Sequence, residues 1–190
     1  MSRRYTLGKR AEQQAETRRR IVEAAVDLHT EVGPAHTTIS MVAERAGVQR
    51  HTFYAHFPDD RSLLMACSGL AMERDPFPAA EAWKEIGDRR ARLTAGLEAI
   101  YDYYERNAQL TASVLRDAET SPLVGEIMAL RMAPLFAETI AVLGEGMNER
   151  QRALLQVAIS YFTWRTLTRD GGLTRAAAVE TMTAALVAAN

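Results

Sequence analysis

The chain has 190 residues, of which 47% are hydrophobic and 25% are charged, as in a soluble globular protein long enough to bury a core. No apolar run approaches the roughly 18 residues that cross a bilayer, and the basic N-terminus lacks the apolar segment of a signal peptide. The single cysteine, Cys67, excludes an intrachain disulfide. We therefore expect a cytoplasmic protein with no membrane partner.

Charge is distributed unevenly along the chain. Its formal net charge is -1, but residues 1–20 hold seven arginines and lysines against Glu12 and Glu16, which gives +5 there and leaves -6 for the remainder. A basic segment ahead of an acidic remainder is typical of a DNA-reading head on a regulatory body. We predict that residues 1–14 are a basic flexible arm.

The N-terminal domain, residues 15–72, is predicted to hold three helices and a fourth, connecting helix that Asp59 caps and that runs to about Met72. The first runs from about Gln13 to Val32, because apolar residues recur at helical spacing: Ile21, Ala25, Leu28 and Val32. Gly33 and Pro34 end this helix, and Thr38 is positioned to cap the second one.

A helix-turn-helix is predicted next. Val42, Ala43 and Ala46 form a small apolar patch, Gly47 permits a sharp turn, and Val48 and Phe53 fold back onto the patch. That arrangement leaves six polar or aromatic side chains of the second helix, about 49–55, facing outward: Gln49, Arg50, His51, Thr52, Tyr54 and His56. Such a set can contact phosphates and base edges, with Arg50 the best suited to pair with guanine.

The stretch from Thr37 to Leu64, TTISMVAERAGVQRHTFYAHFPDDRSLL, resembles the DNA-binding signature of the TetR family of bacterial transcriptional regulators. The preceding RRRIVEAAVDLHTEVGPAHTT, Arg18 to Thr38, resembles the first helix of that family. The resemblance implies that Thr38, Tyr54 and His56 contact phosphates. A packing role for the ring of Tyr54 and a helix-end role for His56 stay open as alternatives.

The C-terminal part, residues 73–190, is predicted to be a second helical domain. The two prolines in residues 73–79 mark a hinge between it and the N-terminal domain. Further helices are expected near Trp83 and over residues 88–107, 109–116, 122–143 and 148–168, with a last one capped by Thr174. No segment alternates with period two, so we expect an all-α fold.

Two functions are assigned to this second domain. Aromatic residues between its long helices are candidates to line an apolar ligand cavity, although plain core is the alternative: Tyr101, Tyr104, Phe136, Tyr161 and Trp164. Residues 148–168 are apolar all round, which suggests a two-fold homodimer, with the monomer's own core as the alternative. The predicted interface residues are Leu155, Phe162, Val179, Met182 and Leu186.

Enzymatic motifs are lacking. His29, His36, His51 and His56 have no metal-ligand spacing, and the serines lack a nucleophile-elbow context. We therefore expect no catalytic residues, no metal and no cofactor. The expected function is that of a dimeric transcriptional repressor that binds a palindromic operator in double-stranded DNA and is released by a small apolar or aromatic effector, with activation left open. The alternative is a helical ligand-binding or protein-interaction module whose N-terminal motif is only structural.

Overall fold

The computed structural model describes residues 2–189, with side chains from Gly8 onward. Within this range all regular structure is helical and no strand occurs, so the predicted all-α fold is confirmed. None of the described helices is both long and apolar enough to cross a membrane. Two compact units are present: one extends to Pro76 and takes in Ala112–Met128, and the other holds Phe77–Thr111 and the chain from Ala129 onward.

The helices follow one another along the chain. The N-terminal ones are α1 (Ser2–Glu31), α2 (Ile39–Ala46), α3 (Arg50–His56) and α4 (Asp60–Arg74), with a 3₁₀ turn at Pro34–His36. The later ones are α5 (Glu81–Lys84), α6 (Arg89–Arg106), α7 (Ala108–Ala118), α8 (Pro122–Leu143), α9 (Glu149–Ala158), α10 (Tyr161–Arg165) and α11 (Arg175–Ala188). A π-helical segment, Thr166–Asp170, follows α10.

Helix α1 begins earlier than its apolar periodicity indicates. It starts at Ser2 and not near Gln13, so it continues beyond the apolar face from which it was predicted. Within the predicted part, Arg19 pairs with Glu16 at 2.7 Å and with Glu23 at 2.8 Å, spacings that stabilise a helix surface. The predicted arm, residues 1–14, thus lies in α1 from Ser2 onward, and Met1 lies outside the described residues. The mobility of this segment without DNA remains a prediction.

The first unit is built on the apolar face of α1. Ile21, Ala25 and Leu28 pack in one cluster with Val42 and Ala46 of α2. The same cluster receives Phe53, Phe57, Leu63 and Cys67. Burial raises the pKa of the Cys67 thiol to about 12, so this cysteine is a protonated core residue.

The end of α7 belongs to the first unit, although the predicted domain boundary assigned it to the second. Its Asp117 carboxylate is 1% exposed and accepts the N–H of Ala35 at 2.9 Å. The neighbouring Arg116 donates to the carbonyl of Val32 at 2.9 Å. These polar contacts hold the turn between α1 and α2, and they join residues more than 80 positions apart, which local sequence patterns cannot reveal.

The second unit packs α6 against α11 and α9. Leu93, Leu97 and Ile100 of α6 are fully buried, as are Leu155 and Leu186. At one side, Arg175 reaches three carboxylates of α6, those of Glu98, Asp102 and Glu105, at 2.6–2.8 Å. An apolar core with a charged edge therefore orients α11 along α6.

The single helix predicted over residues 148–168 is wrong, because the chain breaks between α9 and α10. Asn148 starts α9 with a capping box, as expected of an N-cap residue. At Ser160 a new N-cap begins, and its hydroxyl accepts the N–H of Phe162 at 3.2 Å. The physical reason lies in α6, whose Tyr101 and Tyr104 donate hydrogen bonds to the carbonyls of Ala158 and Ile159, each at 2.8 Å.

Candidate nucleic-acid interface

The turn of the helix-turn-helix is set by Gly47. Its backbone adopts the left-handed conformation, with φ 64° and ψ 39°, which costs glycine little. The N–H groups of Gly47 and Val48 donate to the carbonyls of Glu44 at 3.0 Å and Ala43 at 2.9 Å. This closure ends α2 and directs the chain into α3.

Helix α3 is anchored by two aromatic side chains. Phe53 is 1% exposed and packs in the cluster that contains Val42 and Ala46. Phe57, which ends α3, is equally buried, with its ring centroid 5.9 Å from that of Phe53. Since α3 has only seven residues, these two anchors fix which of its faces is presented to solvent.

The predicted DNA-contacting residues lie on or beside that face. Five are exposed: Thr38, Gln49, Arg50, His51 and Tyr54. Two, Thr52 and His56, are half-buried. Thr38 caps α2 by accepting the N–H of Met41 at 3.3 Å, whereas Gln49, at the start of α3, makes no side-chain capping bond. The amide of Gln49 is therefore available to a ligand, and a contact from Thr38 would be additional to its capping role.

Charge pairing distinguishes Arg50 from its neighbours. Arg45 is held by Glu31 through two hydrogen bonds of 2.8 Å, and Arg61 pairs with Glu126 at 2.6 Å. Within the described part of the chain, Arg50 has neither an ion pair nor a hydrogen bond. An exposed guanidinium without an internal partner suits a contact with nucleic acid.

Two further arginines lie beside the motif, and sequence reasoning included them only in the net charge. The Arg18 guanidinium lies over the Phe57 ring, 4.8 Å from its centroid, and so beside the end of α3. A guanidinium nitrogen of Arg20 lies 3.9 Å from the point where a side chain at Gly47 would begin. The helical spacing of residues 18–20 separates both from Arg19, which faces Glu16 and Glu23.

The comparison with known families agrees with this geometry. Residues 21–67 match the model described as bacterial regulatory proteins, tetR family. Residues 21–67 are therefore similar to the DNA-binding region of the TetR family. The matched range begins in α1 and ends in α4, so it contains the complete helix-turn-helix and most of the cluster beneath it.

The proteins to which this chain is similar are distant in sequence. It is 28% identical over 94 residues to the HTH-type transcriptional activator FasR of Mycolicibacterium smegmatis, a match that spans 50% of this chain and 43% of that protein. A candidate TetR-family transcriptional regulator from Mesorhizobium loti has a similar fold, with a TM-score of 0.67, 17% identity and coverage of 92% and 95% of the two chains. FadR from Bacillus subtilis, solved in complex with stearoyl-CoA, has a TM-score of 0.59, with 20% identity and coverage of 90% and 98%.

The aromatic residues predicted to line a ligand cavity come together in the second unit. Tyr104, Tyr161 and Trp164 lie with ring centroids 5.3–6.0 Å apart. Half-buried Phe136 is connected to them through Phe77 and Tyr103. Burial raises the pKa of Tyr101 and of Tyr104, and their hydroxyls already donate to backbone carbonyls. They are packed core residues here, and a ligand cavity remains a prediction.

Four of the five residues predicted for a dimer interface face the core of their own unit. Leu155, Val179, Met182 and Leu186 are between 0% and 8% exposed in the single chain, so they are not available to a partner. Phe162 differs, because 52% of its surface is exposed, as is 51% of Val157 on α9. Periodicity located the apolar helices but did not distinguish their inner face from their outer one.

Proposed function

We propose that this chain is a sequence-specific DNA-binding transcriptional regulator, a cytoplasmic repressor that binds a palindromic operator as a homodimer and is released by a small apolar or aromatic effector. The observation that carries this proposal is the exposed polar row of α3, including Gln49, Arg50 and His51, on a helix held from below by buried Phe53. A rigid short helix with a solvated polar face is what major-groove recognition requires.

Each side chain of this row has a proposed role. Arg50 reads guanine through its O6 and N7 acceptors, while Gln49, His51 and Thr52 contact neighbouring base edges. Thr38, Tyr54 and His56 contact phosphates and fix the docking. Arg18 and Arg20 add phosphate contacts from α1, since each lies beside the motif.

The proposed homodimer uses a revised surface, which we call the outer face. It consists of exposed Val157 and Phe162 and of small exposed residues at helical spacing on α11: Ala177, Thr181, Ala184 and Ala188. Small side chains allow two helices to approach closely, and a two-fold axis would bring this surface against its own copy. Two α3 helices held about 34–36 Å apart would enter successive major grooves, so the operator is expected to be an inverted repeat.

The proposed effector enters the aromatic cluster of the second unit. The surroundings of Tyr104, Tyr161 and Trp164 are apolar, which favours an apolar or aromatic molecule. FadR, which is similar in fold, was solved in complex with stearoyl-CoA, a ligand whose acyl chain is apolar. Release from DNA requires that the effector bind more tightly to a form whose α3 helices do not match the groove spacing.

We assign repression to this chain, although a transcriptional activator would make the same DNA contacts. The relative FasR is named an activator, and the direction of regulation depends on where an operator lies relative to its promoter. The DNA-binding proposal does not depend on this choice.

Selection of bound duplexes from a random library, using the full chain, tests the proposal. We expect an enriched inverted repeat whose half-sites lie about one helical turn apart, bound with an affinity that falls linearly on a log–log plot as salt rises. A duplex with one half-site scrambled is the matched control and should bind more weakly. Binding that is blind to sequence and insensitive to salt would refute the regulator and favour a helical interaction module.

A further inference from the structure

We propose that Tyr101 and Tyr104 are positioning residues for the outer face: their hydroxyls hold open the break between α9 and α10, on either side of which Val157 and Phe162 are presented. The link to dimerisation rests on the proposed function, whereas the role at the break does not.

The hydrogen bonds at the break show what the phenols replace. In an unbroken helix the carbonyls of Ala158 and Ile159 would accept N–H groups four residues later, beginning with that of Phe162. The Phe162 N–H instead donates to the Ser160 hydroxyl at 3.2 Å. The two carbonyls accept the phenolic O–H groups of Tyr101 and Tyr104, each at 2.8 Å.

Burial makes these two bonds hard to replace. Ala158 and Ile159 are 0% and 3% exposed, and Tyr101 and Tyr104 have the same values. Water therefore has no ready access, and a buried carbonyl without a donor is costly. The two tyrosines are three residues apart on α6, one helical turn, so they serve two consecutive carbonyls.

The break determines where the outer face points. Val157 precedes it and its carbonyl accepts both the Ser160 N–H at 3.1 Å and the Thr163 hydroxyl at 2.6 Å. Phe162 follows it in the first turn of α10. If the phenolic donors were lost, rejoining the helix would satisfy the carbonyls but rotate Phe162 relative to Val157. The tyrosines thus fix the relative orientation of the two exposed apolar side chains.

Tyrosine-to-phenylalanine variants of the full chain test this role, because they keep the ring and remove only the donor. The variants are Tyr101→Phe, Tyr104→Phe and their combination. Thr139→Val is the matched control, since it removes a buried hydroxyl of the second unit that has no hydrogen-bond partner among the described residues. The readouts are hydrogen–deuterium exchange of peptides covering residues 157–165 and the dimer dissociation constant from sedimentation.

Each single variant at Tyr101 or Tyr104 should change the hydrogen–deuterium exchange rate of residues 159–165 by about fivefold, the equilibrium factor of one hydrogen bond. The double variant should raise the dimer dissociation constant about tenfold. Thr139→Val should leave both within about twofold. Equal exchange in all three single variants would overturn the role at the break, and altered exchange with an unchanged dissociation constant would overturn the role in positioning the face. If the wild-type chain is monomeric at every concentration, the proposed dimer fails, while the exchange measurement still decides the role of the phenols.

Discussion

Two glycines of the first unit should respond very differently to the same substitution, although both have positive φ. Gly33 has φ 99° and ψ 155° and lies at the turn after α1, whereas Gly47 has φ 64° and ψ 39° at the turn after α2. The left-handed conformation of Gly47 is accessible to alanine at a cost of about 1–2 kcal/mol. The conformation of Gly33 is nearly confined to glycine and costs about 1–3 kcal/mol.

The side chains around the two glycines increase this difference in the cost of an alanine. A Cβ at Gly47 would meet only Arg20, at 3.9 Å, but a Cβ at Gly33 would come within 2.4 Å of the Asp117 carboxylate and 2.2 Å of the Arg116 guanidinium. Moving Asp117 would break its bond to the Ala35 N–H, a contact to a charged group that contributes about 1.5–3 kcal/mol. Replacing glycine by alanine also restricts the unfolded chain, which offsets about 0.4–1 kcal/mol of these costs. We therefore expect Gly33→Ala to lower the free energy of unfolding by about 3–5 kcal/mol and Gly47→Ala by about 1 kcal/mol.

Urea denaturation followed by circular dichroism measures both values in the full chain. Asp117→Asn serves as the control, because it keeps the side-chain shape and removes the charge. If Gly33→Ala and Gly47→Ala cost the same, or if Gly47→Ala costs more, then the contact between Asp117 and the α1–α2 turn does not contribute as described.

Three further substitutions test the site and the stability. Arg50→Ala should weaken binding to the selected operator by about 1–3 kcal/mol and relax preference at one base step; an equal loss on every sequence, or the same loss in Arg45→Ala, would make Arg50 a general charge contact. Phe162→Glu should give monomers by light scattering, while Leu130→Glu, at a residue 53% exposed on α8, should not; dimers in both would refute the outer face. His29 is buried, which lowers its pKa from 6.5 to about 4. As the pH falls, this imidazole is therefore protonated in the unfolded chain before it is protonated in the folded one. Stability should fall by about 3 kcal/mol as the pH drops from 6.5 to 4, and a His29→Gln variant that declines equally would refute this.

Local chemistry explains which elements the sequence predicted well. Thr38, Asp59 and Thr174 were each expected to cap a helix, and each accepts a backbone N–H of the following turn. Gly47 was expected to turn the chain, and it has the left-handed backbone that such a turn uses. Capping and turning depend on residues a few positions apart, so a single sequence contains the needed information.

Long-range chemistry explains the errors. The break at Ser160 depends on hydroxyls from α6, more than 50 residues earlier in the chain, and no pattern within residues 148–168 indicates it. Likewise, Leu155 and Phe162 are equally apolar in sequence, but only the packed unit reveals that one is 0% and the other 52% exposed. The position of Arg18 over Phe57 is another contact between separate helices that residue spacing alone did not predict.

The contact between Asp117 and the α1–α2 turn has a consequence for the way this protein is made and dissected. The ribosome completes α1 through α4 well before it reaches Ala112–Met128, the segment that finishes the first unit. A gene fragment that stops at codon 76 would encode a truncated head with the Ala35 N–H missing its acceptor. Fusing residues 112–128 to that fragment through a flexible linker should restore the Asp117 carboxylate as the acceptor of this N–H.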